Sequence, residues 1–323
     1  HKMLAKNSLL TSSRIVIKPE DRVFINIPPY LTSAICHILS CYAKGAALIA
    51  RAGFFFGDDL FDEIINNDCT ALVGAPVHIA RLVEIESAKI KPNKLRFFMS
   101  SGDHLPEYII KKALNVFSEV DIFCVYGLSE VGGRLCVLDP QYISKKIGSV
   151  GTPLPEMKVT IRREDFSETS PGEVGEIHIQ GPLLMKGYIG EPELNKELIG
   201  PFGFKTGDFG YKDEEDFIFL KGREDDIFKC GGEKVSTIMI QHKLMECKEI
   251  IDVAVVAVPD EIMGKVPVAY YVPTNGKNLK KSVLIKHLAK VLPPAHMPKK
   301  LIEVECIPRT DSGKVMRKEL NPD

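Results

Sequence analysis

Near its C-terminal end the chain reads Pro308-Arg309-Thr310-Asp311-Ser312-Gly313-Lys314-Val315-Met316-Arg317, a polar turn that delivers one lysine at a fixed place. A lysine held by a tight turn suits point-charge contact with a phosphate or carboxylate oxygen, although the same run would also make a surface loop with a solvated lysine. Two upstream segments carry matching chemistry. In Tyr126-Gly127-Leu128-Ser129-Glu130-Val131-Gly132-Gly133 an aromatic, a hydroxyl and a carboxylate follow the apolar run 120–125. The tyrosine can stack on a base, Ser129 can donate to a phosphate and Glu130 can hold Mg²⁺. The other segment is Phe204-Lys205-Thr206-Gly207-Asp208, followed by Lys221-Gly222-Arg223-Glu224-Asp225-Asp226. A carboxylate on a glycine turn, Asp208, suits paired ribose hydroxyls, and Arg223 suits phosphate or ribose oxygens.

Positioning such groups requires elements whose ends converge. From Arg22 to Val125 strand and helix signals alternate: strands at 22–27, 45–50, 70–73, 95–99 and 121–125, and helices at 31–43, 58–65, 77–85 and 107–116. Repeated strand–helix units of this length predict a parallel sheet with right-handed crossovers, whose ligand sites lie at the carboxyl ends of the strands. Past Lys145, short β runs punctuated by Gly and Pro predict a small barrel-like subdomain. Beyond Arg223 a helix (237–246), strands (252–258 and 266–272), a helix (282–292) and a strand (300–306) predict a separate small α/β domain. The expected organisation is therefore a large domain over 1–223, divided into an α/β part (1–145) and a β-rich part (146–223), then a C-terminal domain over 224–323.

Tyr126-Gly-Leu-Ser-Glu130 resembles the YGxTE motif of the adenylate-forming superfamily, which comprises acyl-CoA synthetases, peptide adenylation domains and luciferases. Thr206-Gly-Asp208 is similar to its TGD motif, Gly222 to Asp226 to its GRxDD motif, and Pro308 to Arg317 to its PxTxxGKxxR motif. Gly172 to Gly181 fits its GExGEhxhxG segment. Single motifs of this kind recur by chance, whereas five in order across nearly the whole chain do not.

The resemblance implies AMP-forming activation of a carboxylic acid: the acid attacks ATP to give acyl-AMP, and CoA then takes the acyl group as a thioester. ATP, Mg²⁺, CoA and a small-molecule acid are the implied ligands. Lys314 would bridge the reacting carboxylate and phosphate oxygens, with Glu130 as Mg²⁺ ligand and Ser129 in place of the usual threonine. Tyr126, Gly102, Asp103, Asp208 and Arg223 would bind the nucleotide. Asp225 would be the hinge about which the small domain swings between half-reactions, and Tyr30 and Gly127 would border the acyl pocket. Structural roles stand beside these: Tyr126 as core at a strand end, Glu130 at a helix start, Asp103 as an N-cap, Asp208 in a turn and Asp225 in an exposed linker. Loading of a carrier protein is an alternative to CoA. So is an inactive fragment or split half, because the family's upstream phosphate loop has no counterpart in the chain and a missing N-terminal piece would have to supply it.

After Tyr30 come only Leu31, Thr32, Ser33 and Ala34, so no anion is offered to an ammonium and amino-acid activation is disfavoured. Ser236-Thr-Ile-Met-Ile240 and Gly264-Lys265 depart from the family pattern on the small domain, which weakens the case for the thioester step. Lys+Arg 42 against Asp+Glu 43 creates no field that would draw nucleic acid or an anionic membrane. The eight cysteines show no CxxC or metal-ligand spacing and mostly sit in apolar runs, as expected for a reducing cytoplasm. The apolar runs are strand-length, so no membrane span is expected. His37 lies on an apolar helix face and reads as a core histidine.

Overall fold

The structure, a computed structural model, describes residues 1–51, 57–86, 94–102, 105–223, 226–274, 279–310 and 315–320. It divides into two compact units: 1–206 with 210–220, and 207–209 with 221–323.

The first unit is organised on a parallel sheet. Its strands are β1 (Arg22–Asn26), β2 (Ala47–Ile49), β3 (Ala71–Gly74), β4 (Phe97–Ser100) and β5 (Asp121–Tyr126), in the order β2-β1-β3-β4-β5. Helices α1 (Lys2–Arg14) and α2 (Thr32–Lys44) belong to one face, and α3 (Gly57–Asn66), α4 (Pro76–Glu86) and α5 (Glu107–Val116) to the other. β1, β3, β4 and β5 are apolar at consecutive positions because both faces are covered, whereas the edge strand β2 is largely exposed. Val23, Ala71, Val73, Phe97, Met99 and Phe123 pack on the α1–α2 side. Their neighbours Phe24, Leu72, Phe98, Ile122 and Cys124 pack on the α3–α5 side, as a period of two requires. Gly45 ends α2 in the left-handed region at φ 72°, a conformation glycine adopts without strain.

The sheet continues antiparallel through β6 (Cys136–Leu138) and β7 (Ser149–Pro153). β8 (Lys158–Arg162), β9 (Gly175–Gln180), β10 (Ile199–Gly200), β11 (Gly203–Lys212) and β12 (Ile218–Arg223) complete it, in the order β6-β7-β12-β11-β9-β8 with β10 on β11; α6 (Pro192–Leu198) precedes β10. The β-rich segment expected past Lys145 is present. It forms no closed barrel among the described residues, because β7 pairs with β6 on one side and β12 on the other and so joins it to the parallel sheet.

In the second unit β13 (Ile227–Cys230) and β14 (Glu233–Ser236) form a hairpin across Gly231-Gly232, both at positive φ. Helix α7 (Thr237–Met245) follows, its N-cap Ser236 accepting from the Met239 N–H. The long antiparallel pair β15 (Ile250–Asp260) and β16 (Gly264–Pro273) carries β17 (Lys300–Glu303) in parallel on β16. Residues of α7 and of α8 (Lys281–Leu288), including Ile240, Leu244, Leu284 and Leu288, build the core on this sheet with Val253, Val255 and Tyr271. Among the described residues no helix is long and apolar enough to cross a membrane.

Candidate active site

In the parallel sheet Ser100 of β4 lies beside Cys124 of β5, so the segments that begin at Ser101-Gly102 and at Tyr126 leave the same carboxyl edge. Tyr126 is buried on the α1–α2 side. Gly102 stands at φ 97° with open space where a Cβ would be. Tyr30 follows β1 at the same edge and is 65% exposed. Asp103 lies outside the described residues.

Beyond Tyr126 the chain makes a tight return. A Cβ on Gly127 would lie 2.0 Å from the Gly133 carbonyl oxygen, so only glycine fits, and the reason is the chain's own backbone. Ser129 to Val131 form one 3₁₀ turn, closed by Gly132 at φ 81°. The loop is fastened to α1 by Asn7, whose buried amide donates to Val131 O at 2.8 Å and Arg134 O at 2.6 Å. It meets α2 through Thr32 Oγ1, 3.0 Å from Ser129 Oγ.

Glu130 is half-buried and held twice. Its backbone carbonyl accepts from the Met185 N–H at 2.7 Å, and its Oε1 accepts from the Tyr188 hydroxyl at 2.6 Å. Tyr188 is itself fixed by Asn195, which accepts from its N–H and donates to its carbonyl. The sequence reading missed Tyr188, although an aromatic between Gly187 and Gly190 is a detectable signal. The second carboxylate oxygen of Glu130 takes no bond among the described residues. A hard oxygen ligand of this kind fits Mg²⁺, which is commonly held by one or two carboxylates and otherwise by water and phosphate oxygens. No group of three His, Cys, Asp or Glu side chains forms a metal cage among the described residues.

In the second unit Arg223 Nε donates to Asp208 Oδ1 at 3.1 Å, which joins the two motifs read as ribose- and phosphate-directed. Asp226, the last residue of Gly222 to Asp226, is buried. It accepts the Arg223 N–H at 2.9 Å and pairs with Arg317, a contact the sequence reading did not foresee. At the terminal motif Arg309 pairs with Val315 across a β-bridge, Met316 N–H donates to Pro308 O, and Arg309 forms an ion pair with Asp252. Lys314 and Asp225 lie outside the described residues. Seven of the eight cysteines are buried and only Cys306 is exposed. Burial pushes the Cys124 thiol to about 12, so it is protonated and inert at neutral pH.

The family model for AMP-binding enzymes matches residues 1–189, and the model for the C-terminal domain of AMP-binding enzymes matches 240–314. The chain belongs to this family, within the adenylate-forming superfamily. It is 29% identical to the 4-coumarate–CoA ligase-like 9 protein of Arabidopsis thaliana over 99% of this chain and 58% of that protein. It is 27% identical to the 2-succinylbenzoate–CoA ligase of Oceanobacillus iheyensis over 93% of this chain and 61% of that one. The chain thus spans about three fifths of the length of these relatives. The fold matches that of o-succinylbenzoate CoA synthetase from Bacillus subtilis in complex with its acyl-adenylate intermediate (TM-score 0.88, 24% identity, 99% of this chain and 65% of that one). Another structure of that synthetase, with ATP and a magnesium ion, superposes with a TM-score of 0.87 at 24% identity over 98% of this chain and 65% of that one.

Proposed function

We propose that the protein containing this chain is an AMP-forming acid–thiol ligase, which converts a carboxylic acid to acyl-AMP with ATP and then to a thioester with CoA. The observation that carries this reading is the return after β5. It presents Ser129 and a Tyr188-anchored Glu130 at the carboxyl edge of the sheet, in a chain of the AMP-binding enzyme family. The relatives named above are a 2-succinylbenzoate–CoA ligase and a 4-coumarate–CoA ligase-like protein, and the structurally similar o-succinylbenzoate CoA synthetase is known with ATP and magnesium.

In this reading Tyr126 and Gly102 border the adenine, with Asp103, and the Asp208–Arg223 pair addresses the ribose. Glu130 offers its second oxygen to Mg²⁺, which when bound would neutralise charge on the phosphates. Ser129 donates to a phosphate oxygen. Attack of the acid carboxylate on the α-phosphate builds negative charge there and on the leaving pyrophosphate, and Lys314 supplies the cation that meets it. Asp225 serves as the pivot between half-reactions, while Tyr30 and Gly127 border the acyl group.

Pyrophosphate release by the full-length enzyme, measured against a panel of acids, tests the first half-reaction. Mass spectrometry of products with CoA or with a holo carrier protein tests the second. Lys314→Ala is expected to lower acyl-AMP formation by several orders of magnitude and to spare thioester formation from preformed acyl-AMP, because the charge it meets exists only during adenylation. Equal loss in both half-reactions, or none in either, would sink the assignment of Lys314.

A further inference from the structure

We propose that Arg134 is a specificity-determining residue that selects acids carrying a second carboxylate, its guanidinium receiving that distal group; the proposal rests on the acid-activating reading above. Arg134 is 2% exposed and lies immediately after the Gly132-Gly133 pair that closes the Ser129–Glu130 return. Its donors reach Gly133 O at 2.8 Å, Ser101 Oγ at 3.2 Å and His37 Nε2. All three acceptors are uncharged. No carboxylate pairs with the guanidinium among the described residues.

His37 is fully buried, and burial followed by the charge of Arg134 holds its pKa well below the usual imidazole range. An arginine is always protonated, so the ring nitrogen facing it must be the acceptor and Nδ1 must carry the ring proton. Both Nδ1 of His37 and Nε of Arg134 are buried without a partner among the described residues. The cluster therefore holds one unneutralised cation and two unanswered donors. Buried charges are normally paired and buried donors normally satisfied, and what would complete this group is an acceptor-rich anion. The planar guanidinium matches a carboxylate in particular.

The location suits a substrate group. His37 and Cys36 lie on the second turn of α2, and Thr32 on its first turn meets Ser129. A Cβ on Gly133 would come within 3.0 Å of Cys36 Cβ and 3.1 Å of Thr32 O, so glycine is what lets this loop lie against α2 and carry Arg134 inward. The guanidinium thus meets α2 about one turn beyond the contact of Thr32 with Ser129, the residue proposed to meet the reacting phosphate. An acid spanning that interval would react through one carboxylate and be recognised through the other.

Calorimetric titration of the full-length enzyme reads this preference on the unmodified protein, with a non-hydrolysable ATP analogue present. The probes are glutarate, adipate and suberate, each set against the monocarboxylate of equal carbon count: pentanoate, hexanoate and octanoate. At least one dicarboxylate is expected to bind about tenfold or more tightly than its partner, as a gained charge-assisted pair implies. In Arg134→Met that preference should vanish while the monocarboxylate still binds, and Arg134→Lys should keep part of it. Equal or weaker binding of every dicarboxylate overturns the proposal, as does a preference that survives Arg134→Met. Titration needs no turnover, so absent pyrophosphate release would count against acid activation and not against Arg134.

Discussion

One oxygen of Glu130 is committed to Tyr188 and the other takes no bond among the described residues, a division that suits the metal-binding role proposed for it. A carboxylate on a mobile stem would lose side-chain entropy on every metal-binding event, whereas one already fixed by a hydroxyl has lost it on folding. Hydrogen bonds to a charged group are worth about 1.5–3 kcal/mol, so Tyr188→Phe should weaken Mg·ATP use by about tenfold or more. The effect should fall on acyl-AMP formation with little change in melting temperature, measured by pyrophosphate release and thermal denaturation side by side. Unchanged kinetics would mean that Tyr188 only packs. The sequence made Ser129 and Glu130 visible because a chemical motif is local. It could not show Tyr188, whose partner lies 58 residues away. Gly127 illustrates the reverse: its glycine reads as room for a ligand, while the nearer cause is the Gly133 carbonyl.

At the scale of elements, β1, β3, β4 and β5 were legible because each carries a buried apolar run bounded by Gly, Pro or a charge, and the helices because their apolar residues recur on one face. α5 spans 107–116 as the pattern predicts, and β5 adds only Tyr126 to the predicted strand. Less legible was Phe204 to Asp208, a motif-bearing loop by composition that the structure places inside β11. Its glycines weaken the strand signal, and cross-strand pairing overrides the local preference. The β13–β14 hairpin escaped for a similar reason: Lys, Glu and Lys interrupt its alternation. How α1 would be used was equally hidden, since Asn7, Thr11 and Ser12 are polar yet buried. Asn7 serves the loop after β5, and Asn7→Ala would leave two buried carbonyls without donors. The expected cost is about 2–4 kcal/mol, from about 1–3 kcal/mol for each orphaned group with partial relaxation. Hydrogen exchange should report it as faster opening of residues 128–135, ahead of the strands. Uniform destabilisation with no local effect would show that the helix, and not the amide, holds the loop.

For the whole molecule, stability should depend on buried groups that differ in charge between the folded and unfolded chain. Burial lowers His78 from the ordinary imidazole value of 6.5 to about 4, while its Nδ1 accepts the Ala75 N–H at 2.9 Å. His37 moves in the same direction. The unfolded rings take up protons as pH falls below about 6.5, and the folded rings refuse them until far lower. The stability from keeping these rings neutral is therefore fully present above pH 6.5 and is lost as pH falls towards about 4. For His78 alone the shift corresponds to roughly 3 kcal/mol. Asp21 acts in a lower window. Burial, its largest single influence, raises its pKa, but Arg96, the Lys18 N–H and the Thr70 hydroxyl together hold it below the usual carboxylate value. Its contribution is present above that value, near pH 4, and fades only below it. Denaturant titrations at steps from pH 7.5 to 4.5 should thus show a steady fall before any buried carboxylate contributes. His78→Asn keeps an acceptor for the Ala75 N–H but does not titrate, so it should flatten the slope by about one proton over that range. An identical slope in the variant would show that His78 is not among the groups that unfold this protein in acid.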